Sequence, residues 1–234
     1  MWPFRDYRLT IPGAILILVF CLTLCAGTGF RESPVKTWFP WLAVSNPEYF
    51  TSVVGTIVAL LVTNFAGGFL CYSLTMLPFV RRHGTWLLSE QDLERIETEV
   101  TNCQLGDGTR RNDSHREVMA EMHLRLHSHA PQTVMDFLTR RLTVGYTAYG
   151  SIWAIWIGYL FALAVMARNG LAVSWPLTGK HCLLILGVIF ALLTPLLLRI
   201  GKQARTDVLD VLIKFLRWDA RTNPPRQGDV CNVR

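Results

Sequence analysis

Apolar residues run uninterrupted by any Asp, Glu, Lys or Arg over residues 9–30, 49–80, 142–167 and 182–198. A helix crosses the hydrocarbon of a bilayer with about 20 residues rising 1.5 Å each. Each run therefore predicts one transmembrane helix. The first opens Leu9-Thr10-Ile11-Pro12-Gly13, with Pro12 tolerated in a first turn. The second measures about 48 Å as one helix, so its ends project or bend, with Pro78 marking an exit. The third is a single span. The fourth is short, about 25 Å, with Lys180 and Arg199 placed to snorkel outward from its ends. Arg5 and Arg8 precede the first run as they would a signal peptide, but Leu24-Cys25-Ala26-Gly27 is no clear cleavage signal. The run is read as a retained span.

Between the second and third runs the pattern turns amphipathic. Ser89-Glu90-Gln91-Asp92 starts a helix with Ser89 as N-cap and acids in its first turn. Leu93, Ile96 and Val100 form its apolar stripe among Glu94, Glu97 and Glu99. It stops in the turn-rich stretch from Asn102 to Asn112, which includes Gly106-Asp107-Gly108. Ser114 and Glu117 form a capping box for a second helix, with Val118, Met122 and Leu126 as its stripe and Pro131 ending or bending it. A third helix, from about Thr133, runs through Arg140-Arg141 into the third span. The tail after Arg199 carries Ile200, Ala204, Val208, Val211, Leu212 and Phe215 at helical spacing, up to Asn223-Pro224-Pro225. Gly201 is its one weak point.

All 23 Lys and Arg and all 17 Asp and Glu fall outside the four apolar runs. A soluble domain spreads its charge through its helices, and 51% hydrophobic residues exclude a disordered chain. Of the Lys and Arg, 19 lie in residues 1–8, 81–141 and 199–234 and only 4 in residues 31–48 and 168–181. The positive-inside rule places the first three segments in the cytoplasm and the other two outside. The expected fold is an all-α integral membrane protein of four transmembrane helices, with a cytoplasmic helical hairpin between the second and third and a cytoplasmic C-terminal amphipathic helix. The expected location is the cell inner membrane, with an organellar inner membrane as the alternative. Trp38-Phe39-Pro40-Trp41 and Trp175-Pro176 in the external loops read as an interfacial aromatic belt rather than a recognition surface.

Candidate chemistry is sparse. The six cysteines form no CxxC pair, so neither a disulfide framework nor a zinc ribbon is expected. His115, His123, His127 and His129 cluster in the loop. His123 and His127 stand at i, i+4, a spacing that can place two imidazoles on one metal. The intervening Leu124-Arg125-Leu126 lacks the Glu of an HExxH site. A solvated helix face is the plainer reading, with metal or pH sensing as the alternative. No phosphate loop, G-x-S-x-G elbow or intramembrane charge is present. Asn64 is the strongest polar group at depth, read as an interhelical hydrogen bond before a pore-lining amide.

Gly150, Ala154, Gly158 and Ala162 recur every four residues in the third span, and Gly187 and Ala191 continue the theme in the fourth. Lipid supplies little hydrophobic drive between helices, so close approach along small residues is how they associate. That stripe packs within the bundle or between subunits, while Tyr146, Tyr149, Trp153 and Trp156 cover a different face. Arg199, Lys202, Arg205, Lys214 and Arg217 make the tail basic, suited to the acidic 90–99 helix, to a partner or to anionic headgroups. The layout resembles that of flagellar-stator-type proton-channel subunits, in topology alone and without a shared motif. The expectation is a non-enzymatic, oligomeric inner-membrane subunit whose cytoplasmic helices recruit or sense a protein partner, of the secretion, conjugation, exclusion or defence kind. The alternatives are a channel formed by the oligomer and a histidine-based sensor. Membrane lipid and other copies of the chain are expected partners; nucleic acid and a cofactor are not.

Overall fold

The computed structural model describes residues 7–27, 49–83, 91–92, 94–96, 98–99, 115–168 and 177–223. Among them there are helices and no strands. The helices are α1 (Tyr7–Gly27), α2 (Tyr49–His83), α3 (His115–His129), α4 (Gln132–Arg168) and α5 (Leu177–Thr222). The described residues between 91 and 99 are also helical. Four helices contain stretches long and apolar enough to cross a membrane: Tyr7–Gly27, Leu60–Leu77, and segments within Gln132–Arg168 and Gly179–Thr222. The chain is therefore that of a multi-pass membrane protein. The aromatic loops at Trp38–Trp41 and Trp175-Pro176, the Ser89 cap, the 102–112 turn and the Ser114 capping residue lie outside the described residues.

Helix boundaries differ from the charge-free runs in ways the backbone explains. α1 begins at Tyr7, so Pro12 lies past the first turn and offers no N–H to the carbonyl four residues back. α2 continues through Pro78 to His83. Pro131 does break the chain: α3 closes with Ala130 N–H on the Leu126 carbonyl at 3.1 Å, and the Pro131 carbonyl accepts from Val134 N–H at 2.9 Å as α4 begins. α4 and α5 are far longer than a bilayer requires, 37 and 46 residues.

The chain divides into two compact units, one from Met1–Thr75 and Tyr146–Gly201, the other from Met76–Gly145 and Lys202–Arg234. In the first, α1 touches all three other helices. Leu9 meets Gly68 and Gly13 meets Asn64, so α1 and α2 run antiparallel with their backbones in contact. Pro12 packs on Gly150, and Leu16 and Val19 on Gly158, placing α1 parallel to α4. Gly27 meets Gly179 and Leu183 at the start of α5. Outward faces are apolar, with Leu18, Phe69, Leu184 and Leu192 each more than 60% exposed. That pattern suits lipid rather than water.

In the second unit, a core of Ile96, Met122, Leu126, Leu138, Val208, Leu209, Leu212, Phe215 and Leu216 joins the 91–99 segment, α3, the start of α4 and the end of α5. Each such side chain withdrawn from water contributes about 1.5–3 kcal/mol. Of the tail stripe, Val208, Leu212 and Phe215 lie in this core and Val211 packs against it, Ala204 is buried, and Ile200, in the first unit, is exposed.

Candidate interaction site

The charges of the second unit are arranged around that core. Arg205 Nε lies 3.1 Å from Asp92 Oδ2, and Arg217 Nε donates to Glu99 Oε2 at 2.9 Å. The tail helix is thereby tied to the 91–99 segment at two points three turns apart. The Arg217 guanidinium, by its hydrogen bond, holds the Glu99 carboxyl below the usual range. Arg141 Nε pairs with Asp207 Oδ2 at 3.2 Å, linking α4 to α5.

A more enclosed cluster ties α3 to the end of α5. Asp219 is 1% exposed. Its Oδ2 lies 3.5 Å from Arg125 Nη1, and its Oδ1 lies 2.8 Å from His129 Nδ1 and accepts from Asn223 Nδ2 at 3.0 Å. A buried carboxylate is tolerated when paired and hydrogen-bonded in this way. Sequence reasoning passed over Asp219, although the signal was present. It follows Val208, Leu212 and Phe215 on the tail's apolar stripe, where a solvated acid does not belong.

The histidine cluster is therefore sorted. His129 is held by Asp219. His123 and His127 stack with ring centroids 6.1 Å apart and planes 20° from parallel. Desolvation, and secondarily the His127 charge, push the His123 imidazole below its usual value. The side chain of His115 is outside the described set. A groove of about 630 Å³ opens beside the Arg217–Glu99 pair, lined by Gln91, Glu94, Arg95, Thr98, Glu99, Ile213 and Arg217. It presents two acids and two arginines together with the Gln91 amide, the Thr98 hydroxyl and the apolar Ile213. Of the tail cations, Arg205 and Arg217 make the ion pairs described above, and Arg199, Lys202 and Lys214, like Arg217, are exposed.

In the first unit, Gly150, Ala154, Gly158 and Ala162 are all buried. A methyl on Gly150 would lie 2.9 Å from Pro12 Cγ, and one on Gly158 would lie 2.8 Å from the Leu16 carbonyl oxygen. Those two glycines thus face α1 of the same chain. Gly187 faces the Tyr159 hydroxyl, while Ala191 is exposed. Asn64 lies against the Gly13 backbone, its Oδ1 buried and without a hydrogen-bond partner among the described residues. The four aromatics of α4 do not share one open face. Tyr146 is buried under the Arg8 guanidinium and beside Tyr72, and Trp156 donates to Thr194 Oγ1 at 3.1 Å, leaving Trp153 the exposed member.

Comparison with protein-family models, curated proteins and solved structures finds no match to this chain.

Proposed function

We propose that the chain is a non-enzymatic subunit of an oligomeric inner-membrane complex, and that its second unit is a cytoplasmic bundle that binds a protein partner. The observation that carries this reading is how the second unit uses its charges. Asp92, Glu99, Asp207 and Asp219 hold helices together through Arg205, Arg217, Arg141 and Arg125. They brace a scaffold rather than converge on a reacting atom. The mixed-charge groove beside Glu99 and Arg217 offers a partner helix or strand both polar contacts and the apolar Ile213. Orientation rests on the 19-to-4 division of Lys and Arg. The low burial of the α2 and α5 spans, 17% each, leaves wide apolar faces for lipid or for other copies. The alternative reading is a channel formed by the oligomer, whose candidate lining amide, Asn64, lies against Gly13.

The reading is tested by placing a photo-crosslinking residue at Thr98 in living cells, with Thr206 on the exposed tail as control. A protein adduct specific to position 98 is expected. Only lipid adducts, or equal adducts at both positions, would contradict a groove-bound partner.

A further inference from the structure

We propose that the groove beside Glu99 and Arg217 receives the end of α5 from a second copy of this chain, anchored there by Trp218. The inference rests on reading that groove as a protein-binding site, and it names the protein that fills it.

The last turns of α5 carry a surface of their own. Lys214, Trp218 and Arg221 stand at i, i+4 and i+7, so they share one face of the helix. All three are exposed, Trp218 by 46%. Its ring lies against that of Phe215, with centroids 6.0 Å apart, and Phe215 belongs to the buried core. The indole is therefore backed by the core and presented outward between two cations. Tryptophan and arginine are the side chains that most often anchor protein interfaces.

The groove lies on another flank of the same helix. Its apolar member, Ile213, precedes Trp218 by five residues, which places it about 140° away around the axis. On the wall formed by the 91–99 segment, Glu94 and Arg95 are exposed. Glu94 offers a carboxylate to Lys214 or Arg221 of the incoming copy, and the Arg95 guanidinium offers a cation to the face of its indole. Ile213 supplies apolar contact for the ring. At about 630 Å³ the groove falls in the size range of clefts that enclose groups larger than an indole. The two surfaces complement each other, yet one helix carries both on different flanks, so they meet only between copies.

A patch on one flank that fits a groove on another makes a head-to-tail contact. All copies cross the bilayer in the same sense, so neighbours are related by rotation about its normal. Such contacts close into a ring in which each copy gives one Trp218 and receives another.

The test co-expresses the full chain in two tagged forms, the first with a photo-crosslinking residue at Thr98, and maps the adducts by mass spectrometry. The expected adduct joins position 98 of the first form to residues 214–221 of the second. Trp218→Ala in the second form should weaken the association on the order of 30-fold, as for one interface hot spot. Glu94→Lys in the first form should also lower the adduct, and Lys214→Glu with Arg221→Glu in the second should restore it. An adduct indifferent to Trp218→Ala, no recovery in the charge-swapped pair, or attachment to the second copy outside 214–221 would overturn the proposal. Adducts with a different protein alone would overturn it and leave the groove a partner site, whereas no protein adduct at all would remove both.

Discussion

Asp219 Oδ1 and His129 Nδ1 lie 2.8 Å apart, joining the end of the last helix to the end of α3 across 90 residues of sequence. The carboxylate is almost fully enclosed, whereas the imidazole is 41% exposed. Together with Arg125 this contact ties α3 to the tail helix beside the apolar core. Asp219→Asn should destabilise the second unit by about 3 kcal/mol, the low end for breaking a buried pair, because Arg125 and His129 both reach solvent. Arg141→Gln, cutting the more exposed pair with Asp207, should cost under about 1 kcal/mol. Hydrogen exchange of the α3 and tail amides measures both, and equal effects would contradict the distinction.

Glu99 supplies a pH dependence with a definite sign. Its folded carboxyl titrates below the ordinary value because Arg217 bonds its charged form. The stabilisation is present above the unfolded value of about 4.3 and is lost as pH falls through the lower, folded value. Thermal melting from pH 7 to pH 3 should show this loss, reduced in Arg217→Gln. Superimposable profiles for the two proteins would show that the contact carries no linkage.

The membrane helices should be sensitive at glycines and tolerant at the exposed alanine. Gly13→Leu would drive a side chain into the Asn64 backbone, an overpacking that typically costs about 1–3 kcal/mol. Ala191→Leu faces outward and should stay within about 0.5 kcal/mol. Melting temperature in mild detergent separates them. Gly158→Leu should behave like Gly13→Leu, by separating α1 from α4 within one chain.

Much of the fold was legible because charge placement is a coarse, strong signal. A single Asp or Arg in a span is costly enough that four charge-free runs announce four apolar helices. The stripe of Met122 and Leu126 and that of Val208, Leu212 and Phe215 likewise predict the faces that form the core. What pairs with what was not legible. Gly150 and Gly158 mark close packing, but nothing local says that the partner is α1. Asp219 is by type one more tail charge, and only its place on the stripe after Phe215 marks it as buried. Tyr146 and Trp156 were assigned to a common face by type, yet Arg8 and Thr194 draw them inward. Such contacts join residues far apart in sequence, and periodicity carries no information about them.

The proposed topology rests on the distribution of basic residues. A reporter fused at residue 234 should be active only as a cytoplasmic protein, and moving the charges of Arg81-Arg82 and Arg140-Arg141 should disturb insertion. External activity at residue 234 would reverse the assignment of every loop.

The proposed role has the chain working as one of several copies in a membrane complex. Native mass spectrometry of particles extracted directly into nanodiscs measures it most directly. The expected protein mass is a fixed multiple of the 26.5 kDa chain. A single 26.5 kDa chain per particle, unchanged as expression is raised, would contradict it.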